Sequence, residues 1–156
     1  MIEIDIPGFG LLQLGHLVCD FSGTLSVDGD LTPGVAERLN TLADKLQVHA
    51  LTADTHGKAK TALEGIKCSL DILEPKYQDF QKEKYILNLG AREVVAIGNG
   101  MNDRLMLKTS RLGIAVCLRE GTAFEAVRSA NVLVTSILDG LDLLLFPNRL
   151  IATLRY

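Results

Sequence analysis

Asp20 stands at the end of a short apolar run, residues 15–19, and opens the loop DFSGTLS. A carboxylate presented there can attack phosphorus and carry it as an acyl phosphate. Backbone N–H groups of Phe21, Ser22, Gly23 and Thr24 could cradle the phosphate oxygens. Thr52 follows a second apolar run, 48–51. Its hydroxyl can donate to a phosphate oxygen or cap the following helix, although Thr55 is the more natural cap. Lys84 lies on a helical stretch fourteen residues before Gly98 and could offset the charge of Asp20 and a phosphate, with Lys82 and Lys76 as rivals. A third apolar run, 94–97, leads into GNGMND at 98–103. Gly98 and Gly100 allow close backbone turns beside a ligand, and Asp103 is a hard oxygen donor suited to Mg²⁺. The same loop also reads as a helix start, with Asn102 or Asp103 favouring the N-terminus.

The elements that must position these groups alternate along the chain. Ile2, Ile4 and Ile6 alternate with polar residues, Pro7-Gly8-Phe9-Gly10 turns the chain and 11–14 returns, which predicts a hairpin over 1–14. Thr32-Pro33 marks a helix start, and Val35, Leu39, Leu42 and Leu46 space as one helix face. Strands are predicted at 48–51, 68–73, 94–97, 112–117 and 132–134, with helices over 55–63, 80–89, about 103–107 and 122–128. The tail, 136–156, is apolar and reads as helical in part. Strands alternating with helices imply right-handed βαβ units, hence a three-layer α/β fold with a parallel sheet covered on both faces. In such a sheet the site lies beyond the carboxyl ends of the strands, so DFSGTLS, TADTHG and GNGMND share one edge.

Composition bounds what this edge can do. The 156 residues suit one domain, read as hairpin 1–14, core 15–135 and tail 136–156, and 47% hydrophobic content is enough for a core. A net charge of −3 with no basic stripe argues against nucleic acid as a partner. Cys19, Cys68 and Cys117 are odd in number, make no CxxC pair and sit beside apolar runs, so three reduced buried thiols are expected. No charged segment leads into an apolar signal-like run, and no apolar stretch approaches the length of a bilayer span. The expectation is a cytoplasmic protein without membrane insertion.

In this order and spacing the pieces resemble the four motifs of the haloacid dehalogenase-like superfamily, over residues 15–135. DFSGT at 20–24 is similar to motif one, Thr52 to motif two, Lys84 to motif three and GNGMND to motif four. VVAIGNGMNDRLML resembles the hinge sequence of P-type ATPases, and Thr52-Ala53-Asp54 resembles the TGD of that family. The resemblance implies a Rossmann-like fold and a Mg²⁺-dependent phosphatase acting on a phosphorylated substrate. In that reading Asp20 is the nucleophile and a metal ligand, with the Ser22 carbonyl, Asn99 and Asp103 completing or orienting the metal shell. The phosphoryl group is held by Phe21, Gly23, Thr24, Thr52, Ala53, Lys84 and Asn102.

Two positions depart from the family pattern. Phosphatases of the superfamily carry a second Asp where this chain has Ser22, and a metal-binding Asp where it has Asn99. P-type ATPases carry Thr at the Ser22 position and keep a longer-lived aspartyl phosphate. The segments 25–51 and 53–83 are too short for a nucleotide-binding or cap domain, so a capless, open site is expected. Capless members act on large substrates or close their sites by oligomerising. A homo-oligomer is therefore expected, with Phe9, Leu11 and Leu12 as a candidate contact and packing on their own sheet as the alternative. The second functional reading is a phosphate-binding or regulatory module, a partner of an ion-pumping ATPase.

Overall fold

The computed structural model describes residues 1–54 and 57–156. Alternation builds its first element: β1 (Ile2–Ile6) and β2 (Gly10–Leu14) pair antiparallel, with Ile2 opposite Leu14 and Ile4 opposite Leu12. The period of two puts Ile2, Ile4, Ile6, Leu12 and Leu14 on one face, and all five are buried in the main core. The hairpin thus spends its apolar face on its own chain; Leu12 is fully buried and Phe9 partly, while Leu11 stays exposed.

The chain continues as β3 (His16–Asp20), β4 (Ser26–Val27), β5 (Asp30–Leu31), α1 (Val35–Leu42), β6 (Gln47–Thr52), α2 (Ala59–Ala62) and β7 (Ser69–Ile72). Then follow α3 (Gln78–Leu89), β8 (Val94–Gly98), α4 (Arg104–Thr109), β9 (Leu112–Val116), α5 (Phe124–Ser129), β10 (Val132–Val134), α6 (Ile137–Leu145) and α7 (Pro147–Leu154). Six strands form one parallel sheet in the order β10-β9-β8-β3-β6-β7. The chain moves outward from β3 through β6 to β7, then returns to β8 on the other side of β3. That reversal places the ends of β3 and β8 side by side, which is where a site forms in such a sheet.

Side-chain alternation divides the core into two layers. Leu17 and Cys19 of β3 and Val95 and Ile97 of β8 join the layer holding the hairpin, α1 and α6. Val18, Val94 and Ala96 point the other way, onto Ile86 of α3, Met106 and Leu107 of α4 and Ala126 of α5. This is the three-layer α/β arrangement expected from the alternating strands and helices.

Local details differ from the sequence reading. Helix α1 begins at Val35 behind a left-handed Gly34 (φ 91°), so Thr32 contributes its carbonyl to the Val35 N–H rather than acting as a side-chain cap. Among the described residues of the helix expected over 55–63, α2 covers Ala59–Ala62; the Asp54 carboxylate accepts from the Ala59 N–H at 3.0 Å, and residues 55 and 56 lie outside the described residues. The small hairpin β4–β5 was not anticipated. Its turn residues Asp28 (φ 53°) and Gly29 (φ 82°) are both left-handed, the conformation that Asp-Gly favours in a tight hairpin. Cys19 is buried as expected, whereas Cys68 and Cys117 are half-buried, and all are free thiols. Among the described residues no helix is long and apolar enough to cross a membrane.

Gly113 marks how closely the layers approach. A Cβ built there would lie 2.4 Å from the Leu107 carbonyl oxygen and 3.3 Å from the Ala130 Cα, both backbone atoms that cannot swing aside. Gly113→Ala is expected to destabilise the fold by about 1–3 kcal/mol in urea titration. A change within about 0.5 kcal/mol, the range of an ordinary surface substitution, would contradict this packing.

Candidate active site

The three polar loops meet at the carboxyl edge as their strand order requires. Asp20 ends β3 and is 6% exposed. Its Oδ1 accepts from the Lys82 ammonium at 2.7 Å and its Oδ2 from the Thr24 hydroxyl at 3.1 Å. The same ammonium donates to Asp103 Oδ1 at 2.6 Å, so one cation bridges two carboxylates. The other oxygen of Asp103 accepts from the backbone N–H groups of Asn99 (2.9 Å) and Gly100 (2.8 Å), which folds the 98–103 loop around it.

The lysine in this position is Lys82, and Lys84 is exposed to solvent. Two residues along a helix turn through roughly 200°, so the two lysines cannot share a face. Lys82 and Ile86 are the buried residues of α3, one turn apart. Ion-pair and hydrogen-bond contacts fix that helix phase. Tyr85 donates to Asp71 of β7 at 2.8 Å and lies 3.0 Å from the His49 ring of β6. On the other side Arg104 pairs with Asp79 at 2.8 Å and Thr109 donates to Glu83 at 3.1 Å, tying α3 to α4.

A cavity of about 170 Å³ opens above this group, lined by Asp20, Ser22, Thr52, Ala53, Gln78, Asn99, Gly100 and Asn102. Thr52 is 3% exposed, and its Oγ accepts from the Asp54 N–H at 2.9 Å, which leaves its own proton free to donate. Asn99 accepts from Thr24 at 3.2 Å and donates to the Gly121 carbonyl at 3.0 Å. Asn102 donates to Gln78 Oε1 at 2.8 Å; Gln78 is a lining residue that the motif reading missed, since it lies outside all four motifs.

Two expectations are modified by the geometry. Asp103 is fully buried and not among the residues lining the cavity, with both oxygens bonded to Lys82 and to backbone N–H groups, so it shapes the loop beneath. The cradle expected from Phe21, Gly23 and Thr24 is also spent elsewhere. Their N–H groups donate to the carbonyls of Leu51, Ser26 and Phe21, which close the β3–β6 ladder and the loop turn. Ser22 is the member of this segment that lines the cavity.

Burial dominates the electrostatics. Burial and then the charge of Asp103 push the Asp20 carboxyl above the usual carboxylate range, while Lys82 and Thr24 pull it back. Burial also opposes the Lys82 charge, but Asp103 and Asp20 together outweigh it and hold the ammonium above its ordinary value.

The donor set suits a hard cation. The Thr24 hydroxyl lies within 3.2 Å of both Asp20 Oδ2 and Asn99 Oδ1 and has a single proton, so these two oxygens converge with spare lone pairs. Asp20, Asn99 and Ser22 all face the cavity, a carboxylate and neutral oxygens of the kind Mg²⁺ accepts alongside water.

The chain belongs to the haloacid dehalogenase-like hydrolases, whose family model matches residues 40–135. An uncharacterized protein of Methanocaldococcus jannaschii is 48% identical over 64 residues, covering 41% of this chain and 69% of that protein. The fold is similar to the cobalt-bound deoxy-D-mannose-octulosonate 8-phosphate phosphatase of Haemophilus influenzae, with TM-score 0.68 and 13% identity over 85% of this chain and 88% of that one. It is also similar to a zinc-transporting PIB-type ATPase in its E2.Pi state, with TM-score 0.58 and 24% identity over 78% of this chain and 20% of the pump.

Removing the bridging cation tests the arrangement. Lys82→Met is expected to cost about 3–5 kcal/mol near neutral pH, because two buried carboxylates lose their counter-ion, whereas the exposed Lys84→Met stays within about 0.5 kcal/mol of wild type. Without the ammonium, burial and Asp103 act on Asp20 unopposed, and its folded-state pKa rises further. The folded variant then holds a proton that the unfolded chain has released, so its stability falls as pH rises. Urea titrations should show a smaller deficit at about pH 5 than at about pH 8. Equal effects of the two lysine substitutions would contradict the assignment of Lys82.

Proposed function

We propose that this hydrolase is a phosphatase of modest turnover that works through an aspartyl phosphate at Asp20. The observation that carries the reading is the Lys82 ammonium, buried between Asp20 and Asp103 beneath a cavity walled by hydroxyls, amides and backbone. A carboxylate held in place there can attack the phosphorus of a phosphoester. The Asp20 O–P bond forms as the ester P–O bond breaks, and the leaving oxygen takes a proton from water. Attack of water on the same phosphorus then releases inorganic phosphate and restores Asp20. Thr52, Asn102 and the Ser22 side of the loop hold the phosphoryl oxygens, with Lys82 offsetting their charge. The Haemophilus influenzae neighbour, a phosphatase of an octulosonate 8-phosphate with bound cobalt, supports both a phosphoester substrate and a divalent cation for this reading.

Mg²⁺ would be held by Asp20, the Ser22 carbonyl and the Asn99 amide oxygen, and when bound it supplies positive charge to the phosphoryl oxygens. With Asn99 in place of a carboxylate the site lacks one formal charge, so binding is weak. Asn99→Asp is expected to tighten Mg²⁺ in titration calorimetry; equal or weaker affinity would remove Asn99 from the ligand set. An open cavity admits a large substrate or takes cover from a second copy in the cytoplasm, since excluding water strengthens the electrostatics inside.

Ser22 favours a second reading, a phosphate-binding or regulatory module that partners an ion pump. An unperturbed serine hydroxyl neither protonates a leaving group nor activates water near neutral pH, and such general acid–base help is worth about 10²–10⁴-fold. Rates on nitrophenyl phosphate decide between the two. The phosphatase reading expects an active wild type, no activity in Asp20→Asn, and a gain of about tenfold or more in Ser22→Asp, just below the usual range because the added charge sits beside Asp20. A wild type that is inert, and stays inert with Ser22→Asp and Asn99→Asp together, would leave the binding module as the better account.

A further inference from the structure

We infer that Gln78 is a positioning residue for Asn102, fixing which end of that amide faces the phosphate; this rests on the phosphatase reading, in which Asn102 contacts the phosphoryl group. Gln78 is held at both ends of its own amide. Its Oε1 accepts from Asn102 Nδ2 at 2.8 Å, and its Nε2 donates to the Pro75 carbonyl at 3.3 Å. The donor to Pro75 settles the orientation of Gln78, so the oxygen is the end left for Asn102. On its other side the Asn102 Oδ1 lies in the room left by Gly100, 2.7 Å from where a Cβ would stand there. The Gln78 oxygen can accept only from the nitrogen of Asn102, so it is Gln78 that sets the orientation, and both amides line the same cavity.

The amide matters because its two ends act oppositely on a phosphate. Nδ2 carries a second proton that can donate to a phosphoryl oxygen, whereas Oδ1 would repel it. Without Gln78 the amide can turn over at little cost and present its oxygen. The backbone delivers Gln78 to this place by a strained turn. Tyr77, immediately before it, is a non-glycine residue in the left-handed region (φ 55°, ψ 40°), and α3 begins at Gln78. Such strain persists where surrounding structure over-determines it, and it clusters at functional sites.

A double-mutant cycle on the full chain tests the inference. Gln78→Met keeps the length of the side chain and removes both hydrogen bonds, and Gln78 is only half-buried, so the fold tolerates it. KM for nitrophenyl phosphate and the inhibition constant of inorganic phosphate should each rise by about tenfold, one hydrogen bond's worth of orientation, while kcat falls by a smaller factor. Asn102→Ala should raise the same constants, and Gln78→Met added to Asn102→Ala should change them no further, because Gln78 acts through Asn102. Additive effects, or a fall in kcat with KM unchanged, would overturn the inference while leaving the phosphatase reading intact. If the wild type is inert but binds inorganic phosphate in calorimetry, the phosphatase reading fails and the same cycle, read in phosphate affinity, still decides for or against the pair. A wild type that neither turns over nor binds phosphate overturns both.

Discussion

An ammonium group 1% exposed between two carboxylates is the constraint around which this edge of the molecule is arranged. Taking three charges out of water costs several kcal/mol for each ion before their attraction is counted. That cost is offset only if the geometry is held, and here three separate segments hold it. Asp20 comes from the end of the central strand β3, Lys82 from α3 and Asp103 from the loop after β8. Each has its own support: the β3 ladder for Asp20, Tyr85 with Asp71 and Arg104 with Asp79 for the helix, and two backbone N–H groups for Asp103. Among the described residues no buried side-chain nitrogen or oxygen lacks a partner, so the group is fully satisfied as well as charged.

The alternation of apolar runs with polar loops made the parallel sheet and its functional edge legible before any coordinates, because period-two and helical patterns are local. Asp20, Thr52 and the 98–103 loop were legible for the same reason: each follows directly on a strand, so its place at the edge is set by topology alone. The lysine was not. Its distance from Gly98 left Lys84, Lys82 and Lys76 as candidates, yet Lys84 lies on the solvent side of α3 with Phe80, 58% exposed, and Leu87, 57% exposed. The spacing of Lys82 to Ile86 was the better signal, and it needed the knowledge that a charged residue occupies the buried stripe. Gln78 could not be found by motif at all, since it reaches the cavity through the left-handed turn at Tyr77. The Asp28-Gly29 turn, by contrast, carried a hairpin signal in plain sight.

The departures at Ser22 and Asn99 act in the same direction. Each takes a carboxylate out of a cavity that would otherwise hold three, leaving Asp20 as the one acidic group that lines it among the described residues. Fewer negative charges favour approach of a phosphate dianion and weaken the hold on a divalent cation. In the proposed reading they also leave water without a base once Asp20 is phosphorylated. In that reading this arrangement favours forming an aspartyl phosphate over breaking it down.

That balance makes the covalent intermediate itself the most direct thing to observe. The protein is mixed with acetyl phosphate and Mg²⁺, quenched in acid, and its peptides are sequenced by mass spectrometry. A phosphoryl group on Asp20 that hydroxylamine removes, and that is absent from the Asp20→Asn protein, is the predicted result. An unmodified Asp20, or an adduct that persists in the Asp20→Asn protein on another residue, would contradict the account.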